Sequence, residues 1–197
     1  NVEAIVQEDR VRIYITGAEG ATISANRWHY FPTFPAPGTQ KKKLYLHSEG
    51  KAHITPSDGL LSTEVPGYEP VDQYFYDPIL PTSSVVETSI DRRQTEIRTD
   101  VLTYTTNSLS EPMTILGDII LVLHTSSSAP DTDWFAILTE VSPDGVSKSF
   151  HYAPPAFRAR YHKGFDREVL LRPDKPEEFR MPMGPAGHQI ASGNRLR

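Results

Sequence analysis

The chain has 197 residues, a formal net charge of -5 and a pI of about 5.8, so it lacks the basic surface that nucleic-acid binding requires. It has no cysteine, which excludes a disulfide framework, a thiolate nucleophile and any Cys-ligated metal. Its longest apolar run, IILVL at 119–123, is strand length, well short of the roughly 20 residues of a membrane-spanning helix, so no membrane partner is expected.

Strand signals dominate in chain order. RVRIYIT (10–16) alternates Val11, Ile13 and Ile15 with Arg10, Arg12 and Tyr14, the period-2 pattern of a half-buried strand. RWHYFPTFPAPG (27–38) reads as a long connection, as does the segment 78–94. Further strands are predicted at KLYLH (43–47), QYFY (73–76), VLTYTT (101–106), TILGDIILVLHT (114–125), DWFAILTEV (133–141), VSKSFHY (146–152), AFRARYH (156–162), EVLLR (168–172) and EFRM (178–181). Turn formers such as SDG, VPG, PDG and RPDKP separate them. No window sustains helical spacing between an N-cap and a Gly stop, so little helix is predicted. Some ten short strands and 17 prolines point to one antiparallel all-β sandwich over 1–197, of jelly-roll or immunoglobulin-like type. The chain starts without Met and ends on RLR, where another strand begins, so a fragment of something longer is expected.

The candidate chemistry is sparse. Asp131 and Asp133 precede a run that should be buried. Capping of backbone N–H groups at a strand entry is favoured for them over a bound cation or an acid/base pair, because short Asp side chains serve turns. Pro143, Asp144 and Gly145 form a hairpin turn, and one of Trp134 and Phe135 is expected to face away from the core. No G-x-S-x-G occurs, and Ser126, Ser127 and Ser128 have no Gly around them, so turn hydrogen bonding is favoured there. The seven histidines show no metal-ligand spacing; His47 and His53, the nearest pair, read as ordinary imidazoles. No metal or cofactor is expected. One surface feature rises above background: Trp28, Tyr30, Phe31 and Phe34 among prolines, aromatics that either roof the end of the sandwich or contact a sugar or a protein surface.

RTDVLTYTTNSLSEPMTILGDIILVLHTSSSAPDTDWFAILTEVSPDGVSKSFHYAPPAFRARYHKGFDREVLLRPDKP resembles the C-terminal β-domain of the CocE/NonD hydrolase family, of the cocaine esterase, α-amino acid ester hydrolase and X-Pro dipeptidyl-peptidase type. VRIYITG, the Trp- and Pro-rich loop, KLYLHSEGK and YDPILP fall upstream in the family's order, so the likeness runs from about Val11 to the end. It implies a galactose-binding-domain-like jelly roll without catalytic residues, because the family's serine, acid and histidine lie in a preceding α/β-hydrolase domain. That domain, on the same polypeptide, is the implied partner, with the aromatic loop as the interdomain contact and DTD as a fold signature. The implied parent is a soluble bacterial cytoplasmic serine hydrolase of esters or peptides whose β-domain frames the active-site entrance. C-terminal truncation and a homo-oligomer are left open, and no role is transferred to His188. The rival readings are a carbohydrate-binding module, with Trp28, Tyr30 and Phe34 as stacking surfaces, and a free-standing adhesion or scaffold domain.

Overall fold

A computed structural model describes residues 11–18, 21–22, 24–54, 58–81, 91–151 and 156–197. The expectation of an all-β chain holds. Twelve strands are present among these residues: β1 Val11–Gly17, β2 Arg27–Phe31, β3 Tyr45–His47, β4 Gly59–Ser62, β5 Tyr104–Thr105, β6 Met113–Thr125, β7 Asp133–Trp134, β8 Thr139–Val141, β9 Ser147–Ser149, β10 Phe157–Arg158, β11 Glu177–Ile190 and β12 Arg195–Leu196. Helix is confined there to one turn, α1 Arg93–Glu96, and a 3-10 turn, Ala159–Tyr161. The strand orders are β2-β1-β11-β6, β10-β7, β12-β8-β9 and β3-β4-β5.

The chain packs as two compact units, the first comprising 1–116, 138–151 and 187–197, the second 117–137 and 152–186. In the first, the alternation of β1 places Ile15 in the core and leaves Arg12, Tyr14 and Thr16 exposed. β1 pairs antiparallel with β2 over five positions, and parallel with β11 at Thr16↔His188 and Gly17↔Gln189. Much of this unit's interior is polar. Glu96 of α1 accepts hydrogen bonds from Ser147 Oγ at 2.5 Å and Thr139 Oγ1 at 3.4 Å, and pairs with Arg197. A buried carboxylate is tolerable only when ionic and hydrogen-bonded partners replace the water it gives up.

The second unit is held by apolar contact. Phe179 and Met181 of β11, Ala159 and Leu171 are buried together, with Leu121, Trp134 and Phe157 packed against them. Trp134 and Phe157 sit opposite each other across β7 and β10, and both present their edges to Phe179, at 6.0 and 6.2 Å between ring centroids. Phe135, the next residue after Trp134, is exposed. The expected division of these two aromatics is therefore observed.

Several predicted strands differ. Arg27–Phe31 is a strand and not part of a connection, since its prolines begin only at Pro32. QYFY carries no ladder. EVLLR fails to form a strand because its alternate amides bond to different segments, Val169 N–H to Arg160 O at 2.8 Å and Leu171 N–H to Pro130 O at 2.8 Å. DWFAILTEV is broken between β7 and β8, whose partners differ: β10 for the first, β9 and β12 for the second. AFRARYH turns into the 3-10 turn after two strand residues. EFRM is the start of a much longer strand that continues through Pro182 and Pro185, with Gly184 at φ +86° absorbing the irregularity. The predicted connection 78–94 contains α1's first two residues, and its positions 82–90 lie outside the described residues.

At Gly59 a Cβ would meet Thr103 O at 1.9 Å, so β4 lies too close to the backbone just before β5 for any side chain. Gly59→Ala is expected to cost about 1–3 kcal/mol by overpacking, at about 2–4 °C of melting midpoint per kcal/mol for chains of this size. A thermal melt checks it, and an unchanged midpoint would contradict the packing.

Candidate functional site

The aromatics singled out in the sequence are only partly brought together. Trp28 and Tyr30, about half exposed at 57% and 54%, lie on the outer face of β2. Opposite them on β1, Tyr14 sets its ring edge-on to Trp28 at 5.5 Å, and Arg12 covers Tyr30 at 5.5 Å. Phe31 has the opposite parity and stacks with His29 at 6.2 Å, while Phe34 follows in the bend beyond the strand. The result is a sheet-face platform of three rings and one guanidinium.

A second apolar surface escaped the sequence reading. VPGYEPVDQYFYDPILP (65–81) forms neither strand nor helix, and its usual burial pattern is inverted. Its three acids, Glu69, Asp72 and Asp77, are half-buried, whereas Tyr68, Val71, Phe75, Tyr76, Ile79 and Leu80 stand exposed, Phe75 and Ile79 at 83%. The acids anchor it. Asp72 accepts from Ser48 Oγ at 2.6 Å, Ala52 N–H at 2.9 Å and the Tyr104 hydroxyl at 2.6 Å. Glu69 accepts from His47 Nδ1 at 2.7 Å and Ser48 N–H at 3.2 Å. Asp77 caps the Ile79 N–H at 2.9 Å, and Arg98, paired with Asp100, holds Leu80 O at 2.7 Å. Burial and the bond to Asp72 push the Tyr104 phenol up, so it stays a donor; the bond from His47 holds Glu69 below the usual carboxylate range. An apolar side chain of the Val, Leu, Ile or Phe kind left in water forgoes about 1.5–3 kcal/mol of burial. The strap thus turns its charges inward and shows its hydrocarbon outward.

One cluster has the outline of a catalytic relay. His188, buried on β11 and stacked on Phe150 at 4.1 Å, lies 2.8 Å from Glu140 Oε2 through Nε2 and 2.7 Å from Thr16 Oγ1 through Nδ1. Glu140 also accepts from Ala191 N–H at 2.9 Å and Asn194 Nδ2 at 2.6 Å; burial opposes its ionisation, but these donors and His188 outweigh it and keep its carboxyl below the usual range. The hydroxyl of Thr16 also donates to Gly187 O at 3.1 Å, and the neighbouring Gly17 N–H is occupied by Asn26 Oδ1 at 3.0 Å. Acyl transfer needs free donors beside the nucleophile for the oxyanion. Here the adjacent amide is taken, and the cluster pins β1, β8 and β11 to one another.

The remaining sequence-predicted residues are placed as follows. Asp131 accepts the Arg160 backbone N–H at 3.0 Å and its Nε at 2.6 Å, and Asp133 pairs with Arg158 at 3.0 Å. Ser142 N–H bonds to Val146 O at 2.9 Å around Pro143, Asp144 and Gly145; Gly145 has φ +86°, and Asp144 accepts from Val146 N–H at 3.2 Å. Among the described residues no three His, Asp or Glu side chains gather as a metal-binding group. An open cavity of about 650 Å³ is lined by residues including Thr105, Asn107, Pro143, Arg195 and Arg197, with no aromatic ring.

These features define an all-β chain with polar networks in one unit and an apolar cluster in the other. The chain belongs to the family of X-Pro dipeptidyl-peptidase C-terminal non-catalytic domains, whose sequence model matches residues 4–197. Cocaine esterase of Rhodococcus sp. (strain MB1 Bresler) is 29% identical over 203 residues, covering 98% of this chain and 34% of the esterase. Among solved structures, an aminopeptidase from a marine sediment Thaumarchaeota archaeon superposes with a TM-score of 0.74 at 26% identity, covering 96% of this chain and 32% of that one. An α-amino acid ester hydrolase gives 0.73 at 26% identity, covering 87% and 31%. A CocE/NonD family hydrolase from Staphylococcus aureus, at 14% identity and a TM-score of 0.59, shares the fold. The chain thus spans about a third of the length of the relatives it matches, as the non-catalytic C-terminal part of such hydrolases.

Burial disfavours ionisation of Asp131, but the Arg160 guanidinium and N–H outweigh it and hold the carboxyl below its usual range. Its stabilising contribution is therefore complete at neutral pH and is lost as pH falls through that lowered pKa, below about 4. Asp131→Asn is expected to lower the melting midpoint at pH 7, with a gap to the unsubstituted protein that narrows steadily as the pH is taken down through the acid range; a pH-independent gap would contradict the ion pair.

Proposed function

We propose that the chain is the accessory β-domain of a serine hydrolase acting on esters or peptides, packed on the α/β-hydrolase domain of the same polypeptide and framing its active-site entrance. The observation that carries this reading is the family match over 4–197 in a chain that spans a third of its relatives. The exposed apolar strap supports it, because a domain that seats on another must present hydrocarbon that its own core does not use. The DTD turn serves as a structural entry to β7, and the chemistry resides outside this chain.

The test uses the parent polypeptide. A fluorophosphonate is expected to label a serine outside residues 1–197, and replacing that serine by Ala is expected to abolish turnover of a short-chain nitrophenyl ester. Labelling within this chain, or turnover that survives the replacement, would overturn the reading.

A carbohydrate-binding module is the second reading, favoured by the ring platform of Tyr14, Trp28 and Tyr30. Against it, the described cavity at Thr105, Asn107, Arg195 and Arg197 carries no ring, whereas sugar sites combine stacking surfaces with convergent polar groups. No change in Trp28 fluorescence is expected on titrating a broad sugar panel; a saturable shift would restore this reading.

A further inference from the structure

We propose that the strap 65–81, and not the aromatic platform of β1 and β2, is the surface on which the catalytic portion of the same polypeptide seats. This deepens, and rests on, the reading of the chain as an accessory domain. Three observations carry it.

The first is the inversion already described: Glu69, Asp72 and Asp77 turn inward, and the outward side chains from Tyr68 to Leu80 carry no charge. An interface core is distinguished by depletion of charge and enrichment in aromatics, and Tyr68, Phe75 and Tyr76 supply the rings. The second is preorganisation. Pro66, Pro70, Pro78 and Pro81 limit the backbone, the carboxylate anchors fix it to residues 47–52 and 104, and Pro70 lies so close to Gly50 that a Cβ there would stand 3.2 Å away. A segment ordered before it meets its partner spares the ordering entropy of association. The third is the contrast with the platform. Its rings already have partners, Tyr14 on Trp28 and Arg12 on Tyr30, and their backbones are laddered between β1 and β2. Among the described residues the strap has neither ladder nor ring partner. The occupant is identified by what accompanies this chain in its relatives: the other two thirds of the same polypeptide.

The experiment is hydroxyl-radical footprinting of the parent polypeptide, native against denatured, read by mass spectrometry at each aromatic residue. Labelling of Tyr68, Phe75 and Tyr76 is expected to drop severalfold in the native parent, while Trp28 and Tyr30 still react in proportion to their exposure. Protection of Trp28 and Tyr30 with a freely labelled strap would overturn this proposal and leave the accessory role standing. Free labelling of both surfaces would remove the docking reading as well. As a second measure, Phe75→Ser combined with Ile79→Ser costs this chain little packing of its own, since both are 83% exposed. In the parent it is expected to lower the melting midpoint or split the transition, whereas Trp28→Ser with Tyr30→Ser is expected to do neither; the reverse pattern would also overturn the proposal.

Discussion

The carboxylate of Asp72 is the constraint on which the presented surface depends. It gathers a hydroxyl, a backbone amide and a phenol, from Ser48, Ala52 and Tyr104, onto two oxygens. Such charge-assisted bonds are roughly twice as strong as neutral ones. Tyr104 lies on β5, and Ser48 and Ala52 follow β3, so one side chain ties the strap to the sheet β3-β4-β5. Without that attachment a segment lacking any ladder would have no reason to keep its apolar side chains outward. They would collapse onto the nearest hydrocarbon.

The two units answer different demands. The interior of the first uses Glu96, Glu140 and His188 in paired networks, which cost much to bury and give little net stability but hold β1, β8, β11 and the C-terminal strand in one register. The second unit is organised around Phe179, with apolar packing inside and the Asp131–Arg160 and Asp133–Arg158 pairs at its β7 and β10 entry. The Glu140–His188–Thr16 arrangement shows how easily a structural network takes the outline of a catalytic one. The occupied amide at Gly17 and the family's non-catalytic character separate the two.

What was legible in the sequence is what short-range physics controls. The alternation of Val11, Ile13 and Ile15 marks β1, PDG marks the β8–β9 turn through its left-handed Gly145, and the opposite parity of Trp134 and Phe135 sorts core from surface. The family was legible too, because the order of many weak pieces is specific when no single piece is. The strap was not legible: its apolar residues read as a strand, and its anchors come from residues 20 to 32 positions away that leave no periodic trace. EVLLR misled for a related reason, since strand composition does not guarantee one continuous neighbour. β11 hid behind Pro182 and Pro185, which the long strand accommodates.

The most direct test of the central claim, that inward carboxylates hold an outward apolar strap in place for docking, is amide hydrogen exchange across 65–81 and at Ala52 in the parent polypeptide carrying Asp72→Asn. The account predicts faster exchange over the strap and at the Ala52 amide, together with a lower melting midpoint, because an amide group cannot accept from all three donors without turning its own NH₂ toward one of them. Exchange indistinguishable from that of the unsubstituted parent would contradict it.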